Sequence, residues 1–387
     1  MVCPDCYSKQ TSQIPLKGIL EVAITTNITA KNKQSKKIDL LDLSDLSDLF
    51  KLLPIEQKYF PDIPVGNTPL LNVINLRNKL NFKNLFVKDD TRNPTASFKD
   101  RASYLVAAEA KKFKINNIVV ASTGNAGSSM AGIGAAAGIN ITIFLPKTAP
   151  IAKIVQSLQY GAKVVSVDGN YDMAYDLSME YVRKHGGLSR NTAYNPLTIE
   201  GKKTVSLEIV RDLNAVPDYV FVPTGDGVIL SGVYKGFRDL YDLKFTKKIP
   251  TIFCVQAEGS NAIARAFRSL DGHFDFKSSQ TIADSISVDI PRCGFLALKN
   301  LMVYAGECVT VSDQAIIEAQ KELSTITGIF AEPAAATAFA GFLKVKDLLE
   351  KNAKIVLMMT GNGLKDTAAA LKGIIAPTKH ITSISDI

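Results

Sequence analysis

Short apolar runs rich in β-branched residues recur along the chain, and segments with helical spacing of apolar residues separate them. We predict strands at 85–88, 117–120, 141–145, 163–167, 219–222, 251–255 and 355–359. Such strands alternating with helices are typical of parallel sheets covered by helices on both faces. The pattern predicts an α/β protein of two three-layer domains with mostly parallel sheets, because the strands from Val119 to Val167 close a group before a long helix beginning near Glu200.

The chain ahead of these strands follows another pattern. We predict a strand at 19–24, a polar linker at 25–37, and a helix in which leucine and phenylalanine recur at helical spacing from Leu43 to Leu53. The predicted division of the chain is an N-terminal extension at 1–53, a discontinuous large domain at 54–107 and 205–376, a small domain at 108–204, and a tail at 377–387.

Composition narrows the classes of function. The chain has 387 residues, 46% of them hydrophobic, and no apolar run of the roughly 18 residues that a membrane helix needs. Its net charge is +8, but no basic run is interleaved with aromatic residues, so we expect anionic metabolites rather than nucleic acid as partners. Because the first residues lack the basic-then-apolar order of a secretory signal, we expect a cytoplasmic location.

The cysteines and histidines give little indication of a metal site or a histidine base. Cys3 and Cys6 form the only pair with metal-ligand spacing among five cysteines, and the next forty residues contain neither cysteine nor histidine. We therefore predict no bound metal. The three histidines lie away from the glycine-rich turns, which argues against a histidine base.

Lys99 is the candidate catalytic residue. It lies between a turn and the start of an apolar-periodic segment, where the helix dipole and partial burial favour the neutral amine that a Schiff-base lysine requires. A solvated helix lysine is the ordinary alternative. Three turns, each after a predicted strand, favour the catalytic interpretation, since they indicate a single bound cofactor: 122–127, 225–227 and 360–366.

The turn at 225–229 is a candidate phosphate site. Gly225, Asp226, Gly227, Val228 and Ile229 follow one strand and precede a helical pattern, so their backbone N–H groups can form an anion cradle. The glycine spacing matches neither a Walker loop nor a dinucleotide fingerprint. A plain tight turn is the alternative.

The turn at 122–126 is a candidate carboxylate site. Ser122, Thr123, Gly124 and Ala126 offer hydroxyls and N–H groups at a helix start, and Asn125 can donate to a phenolate oxygen. The small side chains leave room for a flat ring close to the backbone. The same pattern also packs a helix tightly on a sheet.

From about residue 64 to 372, the chain resembles the threonine synthase family of fold type II pyridoxal-phosphate enzymes, in the tryptophan synthase beta-like superfamily. The marks are GNTPL at 66–70, SFKDR at 97–101, STGN at 122–125, VDGNYD at 167–172, QAEG at 256–259, EPA at 332–334 and TGNGLKD at 360–366. The FKDR and GLKD motifs distinguish synthases from the related dehydratases. The start of the chain resembles a zinc ribbon that kept its first CxxC motif and lost the second.

The resemblance implies pyridoxal 5'-phosphate as cofactor and a homodimer. It implies cofactor contacts by Lys99, Phe98, Asn125, Gly225, Asp226, Gly227, Val228, Ile229 and Thr360, and contacts to an amino-acid substrate by Ser97, Ser122, Thr123, Gly124 and Ala126. Lys99 would bind the cofactor covalently and move protons, and the neutral Thr360 hydroxyl would bond the pyridine nitrogen. The implied reaction is that of a carbon–oxygen lyase, which converts O-phosphohomoserine and water to threonine and phosphate.

Several positions depart from the family pattern. Thr198 stands where an arginine is usual, Ala193 where a serine is usual, and Ile229 where an asparagine is usual, while 284–289 resembles a dehydratase. The group that receives the substrate phosphate is therefore open, with Lys99, Thr123, Lys153 and Lys202 as candidates. The alternatives are an ammonia-lyase acting on threonine, serine or a diamino acid, another β-replacement synthase, and a binding protein without activity.

Overall fold

The computed structural model describes residues 2–11, 13–24, 46–149, 151–269, 271–374 and 381–383, with the backbone alone at 46–48 and 151–153. In these ranges the strands are β1 Leu70–Leu71, β2 Leu85–Asp89, β3 Asn117–Ala121, β4 Asn140–Pro146, β5 Lys163–Val167, β6 Leu188–Ser189, β7 Tyr219–Pro223, β8 Thr251–Ala257, β9 Glu307–Val311 and β10 Ile355–Met359.

Fifteen α-helices lie within the described ranges. They are α1 Pro4–Tyr7, α2 Leu46–Lys51, α3 Ile74–Leu80, α4 Lys99–Lys112, α5 Asn125–Ala137, α6 Ile151–Gln159, α7 Tyr171–His185, α8 Leu197–Lys202, α9 Thr204–Leu213, α10 Val228–Asp242, α11 Ala262–Arg268, α12 Gly294–Val303, α13 Asp313–Thr327, α14 Pro333–Val345 and α15 Thr367–Ala370. None of the helices in this part of the chain is long and apolar enough to cross a membrane.

The larger sheet has six strands in the order β1-β2-β10-β7-β8-β9, and only β1 is antiparallel to its neighbour. Every residue of the central strand β10 is buried. Its alternate side chains enter two different cores, with Leu357 on the face covered by α13 and α14, and Val356 on the face covered by α10 and α12. The two covered faces explain why this strand is apolar throughout.

The smaller sheet has four parallel strands in the order β5-β4-β3-β6, all drawn from residues 117–189. Helix α7 contacts β3 and β4, and α5 contacts the same two strands. The structure therefore confirms the predicted α/β fold with two mostly parallel sheets.

All seven predicted strands are present, within two residues at each end. Three strands were not predicted, namely β1, β6 and β9. The predicted strand at 19–24 is wrong, because only Ile19 pairs, in an isolated bridge with Val2. Val22 and Ile24 pack against the cores as irregular chain, so their alternation reflects packing and not sheet formation. The linker at 25–37 and Leu43 lie outside the described residues.

Candidate active site

Lys99 is the first residue of α4, and a short loop holds it against the end of β10. The Phe98 N–H donates to the Thr360 carbonyl at 2.9 Å, and the Asn362 N–H donates to the Ala96 carbonyl at 3.1 Å. Ala96 has a φ of 61°, in the left-handed region that costs a residue with a Cβ atom conformational energy. Hydrogen bonds between the loop at 96–98 and the loop at 360–362 therefore fix the backbone position of Lys99.

The surroundings of Lys99 favour its neutral amine. The side chain is half-buried at the wall of a cavity of about 370 Å³. Burial lowers the pKa of Lys99, and the positive charge of Arg190 lowers it further, while Asp226 and Glu332 act in the opposite direction. A neutral amine is the form that attacks a carbonyl carbon, so Lys99 is suited to the nucleophilic role predicted for it.

The cavity brings together residues from both sheets. The predicted site residues that line it with Lys99 are Ser122, Thr123, Gly124, Asn125, Ala126 and Asp226. Sequence reasoning assigned no role to several other lining residues, including Tyr171, Arg190, Ser285, Asp289 and Arg292. Ser97, Phe98 and Thr360 are buried in the loops that hold Lys99.

Two positions of the turn at 225–229 require glycine. A Cβ atom on Gly225 would lie 2.8 Å from the Cα atom of Ile286, and Gly227 has a φ of 89°. The turn leads into α10, whose first N–H groups have no acceptor within the helix. The Val228 N–H donates to the Asp226 carboxylate at 3.0 Å, which leaves the N–H groups of the following residues for an anion.

The turn at 122–126 presents a helix start to the cavity. Ser122 Oγ accepts hydrogen bonds from the N–H groups of Gly124 and Gly127, at 3.2 and 3.0 Å, so this hydroxyl shapes the turn. The N–H groups of Asn125 and Ala126 belong to the first turn of α5, where intrahelical acceptors are lacking. This end of α5 is therefore suited to a carboxylate.

Asn125 has an acidic partner that the sequence did not reveal. Its amide donates to both carboxylate oxygens of Glu332, at 2.9 and 3.0 Å, and Ser285 Oγ lies 3.1 Å from the same nitrogen. Burial raises the pKa of Glu332, although the hydrogen bond from Asn125 lowers it. Glu332 precedes α14 but makes no side-chain hydrogen bond to that helix.

Thr198 and Ala193, which replace the arginine and the serine usual in the family, offer no hydrogen-bond donor to the cavity. Thr198 is completely buried, and its hydroxyl donates to the Asn195 carbonyl at 2.7 Å. The Lys202 amino group is also buried and donates to the Thr198 carbonyl at 3.0 Å. Ala193, in turn, has no hydroxyl to offer. The side chain of Lys153 lies outside the described residues.

In the described part of the chain, no three histidine, cysteine, aspartate or glutamate side chains are grouped as a metal ion would require. The site does fit an anionic aldehyde cofactor. It combines a lysine of lowered pKa with a glycine turn whose following N–H groups can hold a phosphate.

Comparisons with known proteins agree with this arrangement. The pattern of the family described as pyridoxal-phosphate dependent enzymes matches residues 62–361. A threonine synthase of Methanocaldococcus jannaschii is 35% identical over 81% of this chain and 78% of its own length. A threonine synthase of Methanosarcina acetivorans is 34% identical over 85% of this chain and 82% of its own length.

Among solved structures, isoform 2 of threonine deaminase from Solanum lycopersicum superposes with a TM-score of 0.70. It is 22% identical, and the match covers 85% of this chain and 93% of that chain. At this identity the likeness shows the fold alone. The fold and the lysine-containing cavity define a pyridoxal-phosphate enzyme of fold type II.

Within that class, the chain belongs to the threonine synthase family. Pyridoxal phosphate is therefore its cofactor, and a small molecule is its substrate.

Proposed function

We propose that this protein converts O-phosphohomoserine and water to threonine and phosphate, as an enzyme of threonine biosynthesis. The similarity to threonine synthases over about four fifths of the chain carries the proposal. The cavity supports it, because Lys99 lies with a helix start suited to a carboxylate and with the turn suited to a phosphate ester.

In this proposal, residues from both halves of the molecule hold the cofactor. The N–H groups of the 225–229 turn bind its phosphate ester, Asn125 faces its hydroxyl oxygen, Thr360 faces its pyridine nitrogen, and Phe98 packs beside it. Lys99 binds it covalently. When bound, pyridoxal phosphate supplies an electron sink for the carbanion next to the substrate carboxylate.

The other proposed roles concern the substrate. Ser122, Thr123, Gly124 and the N–H of Ala126 hold its carboxylate at the start of α5. Ser97, two residues before Lys99, is a further substrate contact in this proposal. Lys99 removes the protons from Cα and Cβ and returns protons at Cγ and Cα, because it is the lysine that lines the cavity and its pKa is lowered. Water supplies the hydroxyl at Cβ, and its remaining proton leaves with the phosphate.

An ammonia-lyase acting on threonine or serine is the second candidate, and the position of Thr198 favours it. The Thr198 hydroxyl donates its hydrogen bond to the Asn195 carbonyl, so this position does not provide a ligand for a substrate phosphate. A lyase for a substrate without phosphate would need none.

The domain boundaries, the homodimer and the cytoplasmic location stay proposals. Division at 54–107, 108–204 and 205–376 is consistent with the two sheets, since the four strands of the smaller sheet lie between 117 and 189. Most of the proposed tail at 377–387 lies outside the described residues.

Product analysis separates the two candidate activities. The purified holoenzyme is incubated in parallel with O-phosphohomoserine, threonine and serine, and amino acids, 2-oxo acids and phosphate are measured. We expect threonine and phosphate in equal amounts from O-phosphohomoserine. Formation of 2-oxo acids from threonine or serine, without phosphate release from O-phosphohomoserine, would establish the lyase instead.

A further inference from the structure

Arg190 enters the active-site cavity at the end of a strand. It follows β6, and its N–H donates to the Val119 carbonyl of the neighbouring strand at 2.8 Å. The side chain is completely buried, yet it lines the same cavity as Lys99. The guanidinium is therefore shielded from bulk water and open to whatever the cavity binds.

The guanidinium lacks the partners that a buried charge requires. Nε lies 3.3 Å from Ser103 Oγ and Nη1 lies 3.4 Å from Thr192 Oγ1, so both contacts are long and both acceptors are neutral. Nη2 has no hydrogen-bond partner in the described part of the chain. Buried charges in folded proteins are paired, so these free donors indicate a missing anion.

Arg190 keeps its charge in this position. Burial lowers the pKa of Arg190 to about 10, and Asp226 and Tyr171 act in the opposite direction. At neutral pH the guanidinium is therefore protonated and presents a fixed fork of N–H donors.

Other charged side chains around the cavity are already engaged. Arg292 forms an ion pair with Asp172, and Asp289 accepts from the N–H and hydroxyl of Ser279, at 2.7 and 2.8 Å. Lys202 is not among the residues that line the cavity; it is buried and donates to a backbone carbonyl. Arg190 is thus the lining cation best able to accept an anion.

We propose that Arg190 receives the phosphate group of the substrate, in place of the arginine that is absent at position 198. The inference rests on the proposed function. In that reaction the bond between Cγ and the phosphate oxygen breaks and the electron pair stays with oxygen, so the leaving phosphate gains negative charge. A guanidinium fork matches two phosphate oxygens and stabilises this charge.

The cofactor also carries a phosphate ester, and the experiment separates the two sources. Arg190→Gln removes the charge, Arg190→Lys retains it, and Arg183→Gln is the control on an exposed arginine of α7. For each holoenzyme we would measure the KM for O-phosphohomoserine and the inhibition constant of inorganic phosphate. The affinity of each apoenzyme for pyridoxal phosphate is measured by titration.

For Arg190→Gln we expect a 10- to 100-fold rise in the KM and in the phosphate inhibition constant, roughly the loss of a charge-assisted hydrogen bond. Arg190→Lys should recover part of it, and cofactor affinity should change by less than about threefold in all variants. Weakened cofactor binding with unchanged phosphate inhibition would overturn the proposal and assign Arg190 to the cofactor. No change in either would also overturn it.

Isothermal titration of inorganic phosphate into the holoenzyme keeps this test separate from the proposed function. If the wild type does not turn over O-phosphohomoserine, the proposed function fails. The receptor role still stands if the wild type binds phosphate and Arg190→Gln does not. Should Arg190→Gln misfold, phosphate binding is compared between Arg190→Lys and the wild type. A wild-type holoenzyme that does not bind phosphate would overturn the proposed role of Arg190.

Discussion

The amide nitrogen of Asn125 lies 2.9 and 3.0 Å from the two carboxylate oxygens of Glu332. Asn125 begins α5, which packs on the smaller sheet, while Glu332 precedes α14, which packs on the larger sheet. Two residues 207 positions apart in the chain thus join the two halves of the molecule beside Lys99. The same amide is the group proposed to face the cofactor, so cofactor binding and the contact between the sheets are linked.

The Glu332 carboxylate makes stability depend on pH. Burial raises its pKa in the folded protein, so ionisation costs more there than in the unfolded chain. The folded state therefore loses stability as the pH rises from the ordinary glutamate pKa of about 4.3 through the raised value. We expect the melting temperature of Glu332→Gln, relative to wild type, to increase between mildly acidic and neutral pH.

Scanning calorimetry of the apoproteins at several pH values measures this difference. Glu180→Gln changes an exposed glutamate of α7 and should give a melting temperature that follows the wild type at every pH. A difference between Glu332→Gln and wild type that stays constant or shrinks with rising pH would refute the role of burial.

Gly225→Ala tests the phosphate cradle. The new methyl group would lie 2.8 Å from the Cα atom of Ile286 and 3.0 Å from its carbonyl oxygen, so the turn must shift. We expect the apoenzyme to lose at least about tenfold in affinity for pyridoxal phosphate, because displaced N–H groups no longer converge on one anion. Titration followed by the visible absorbance of the cofactor measures the affinity.

Gly138→Ala is the matched control for that substitution. Gly138 has a φ of 67°, but a Cβ atom there would meet nothing within 4 Å. It should cost about 1 kcal/mol of stability through backbone strain and leave cofactor affinity unchanged. Equal cofactor affinity in the two variants would mean that Gly225 does not shape the site.

Arg101 holds α4, and therefore Lys99, through a buried network of charges. Its guanidinium pairs with Asp90 at 2.6 Å and with Glu208 at 2.6 Å, and Lys88 pairs with Glu208 at 2.8 Å. Arg101→Met would leave two carboxylates buried with fewer partners. We expect a loss of about 3–5 kcal/mol in the free energy of unfolding, measured by urea denaturation.

Arg183→Met is the comparison for this network, since Arg183 is exposed. It should change the free energy of unfolding by less than about 0.5 kcal/mol. A loss below about 1 kcal/mol for Arg101→Met would show that the network adds little to stability.

The sequence was most informative where strands are buried on both faces. Runs such as 219–222 and 355–359 are apolar throughout and were predicted as strands, and the structure places them at the centre of the larger sheet. The turns after β3, β7 and β10 were predicted from glycine and hydroxyl residues at strand ends, because parallel strands bring such ends to one edge. The edge strand β9 was missed, since its half-buried alternation gives a weaker signal.

Long-range partners could not be predicted from local patterns. Glu332 directly precedes α14, yet its carboxylate accepts hydrogen bonds from Asn125 in the other half of the molecule. Arg190 was missed because the strand before it has only two residues. A cation directly after this two-residue strand, Leu188–Ser189, was the only local signal. What distinguishes Arg190 is that its guanidinium is buried without a hydrogen-bond partner at Nη2. That property depends on the tertiary fold and is not visible in the local sequence.

The most direct test of the account uses water labelled with oxygen-18. Holoenzyme is incubated with O-phosphohomoserine in labelled water, and the products are analysed by mass spectrometry. Lys99→Ala is the inactive control, and Lys111→Ala, at an exposed position of the same helix, is the active control. Since the carbon–oxygen bond breaks and water adds at Cβ, we expect one label in the hydroxyl of threonine and none in phosphate. Label in phosphate without threonine, or full activity in Lys99→Ala, would contradict the account.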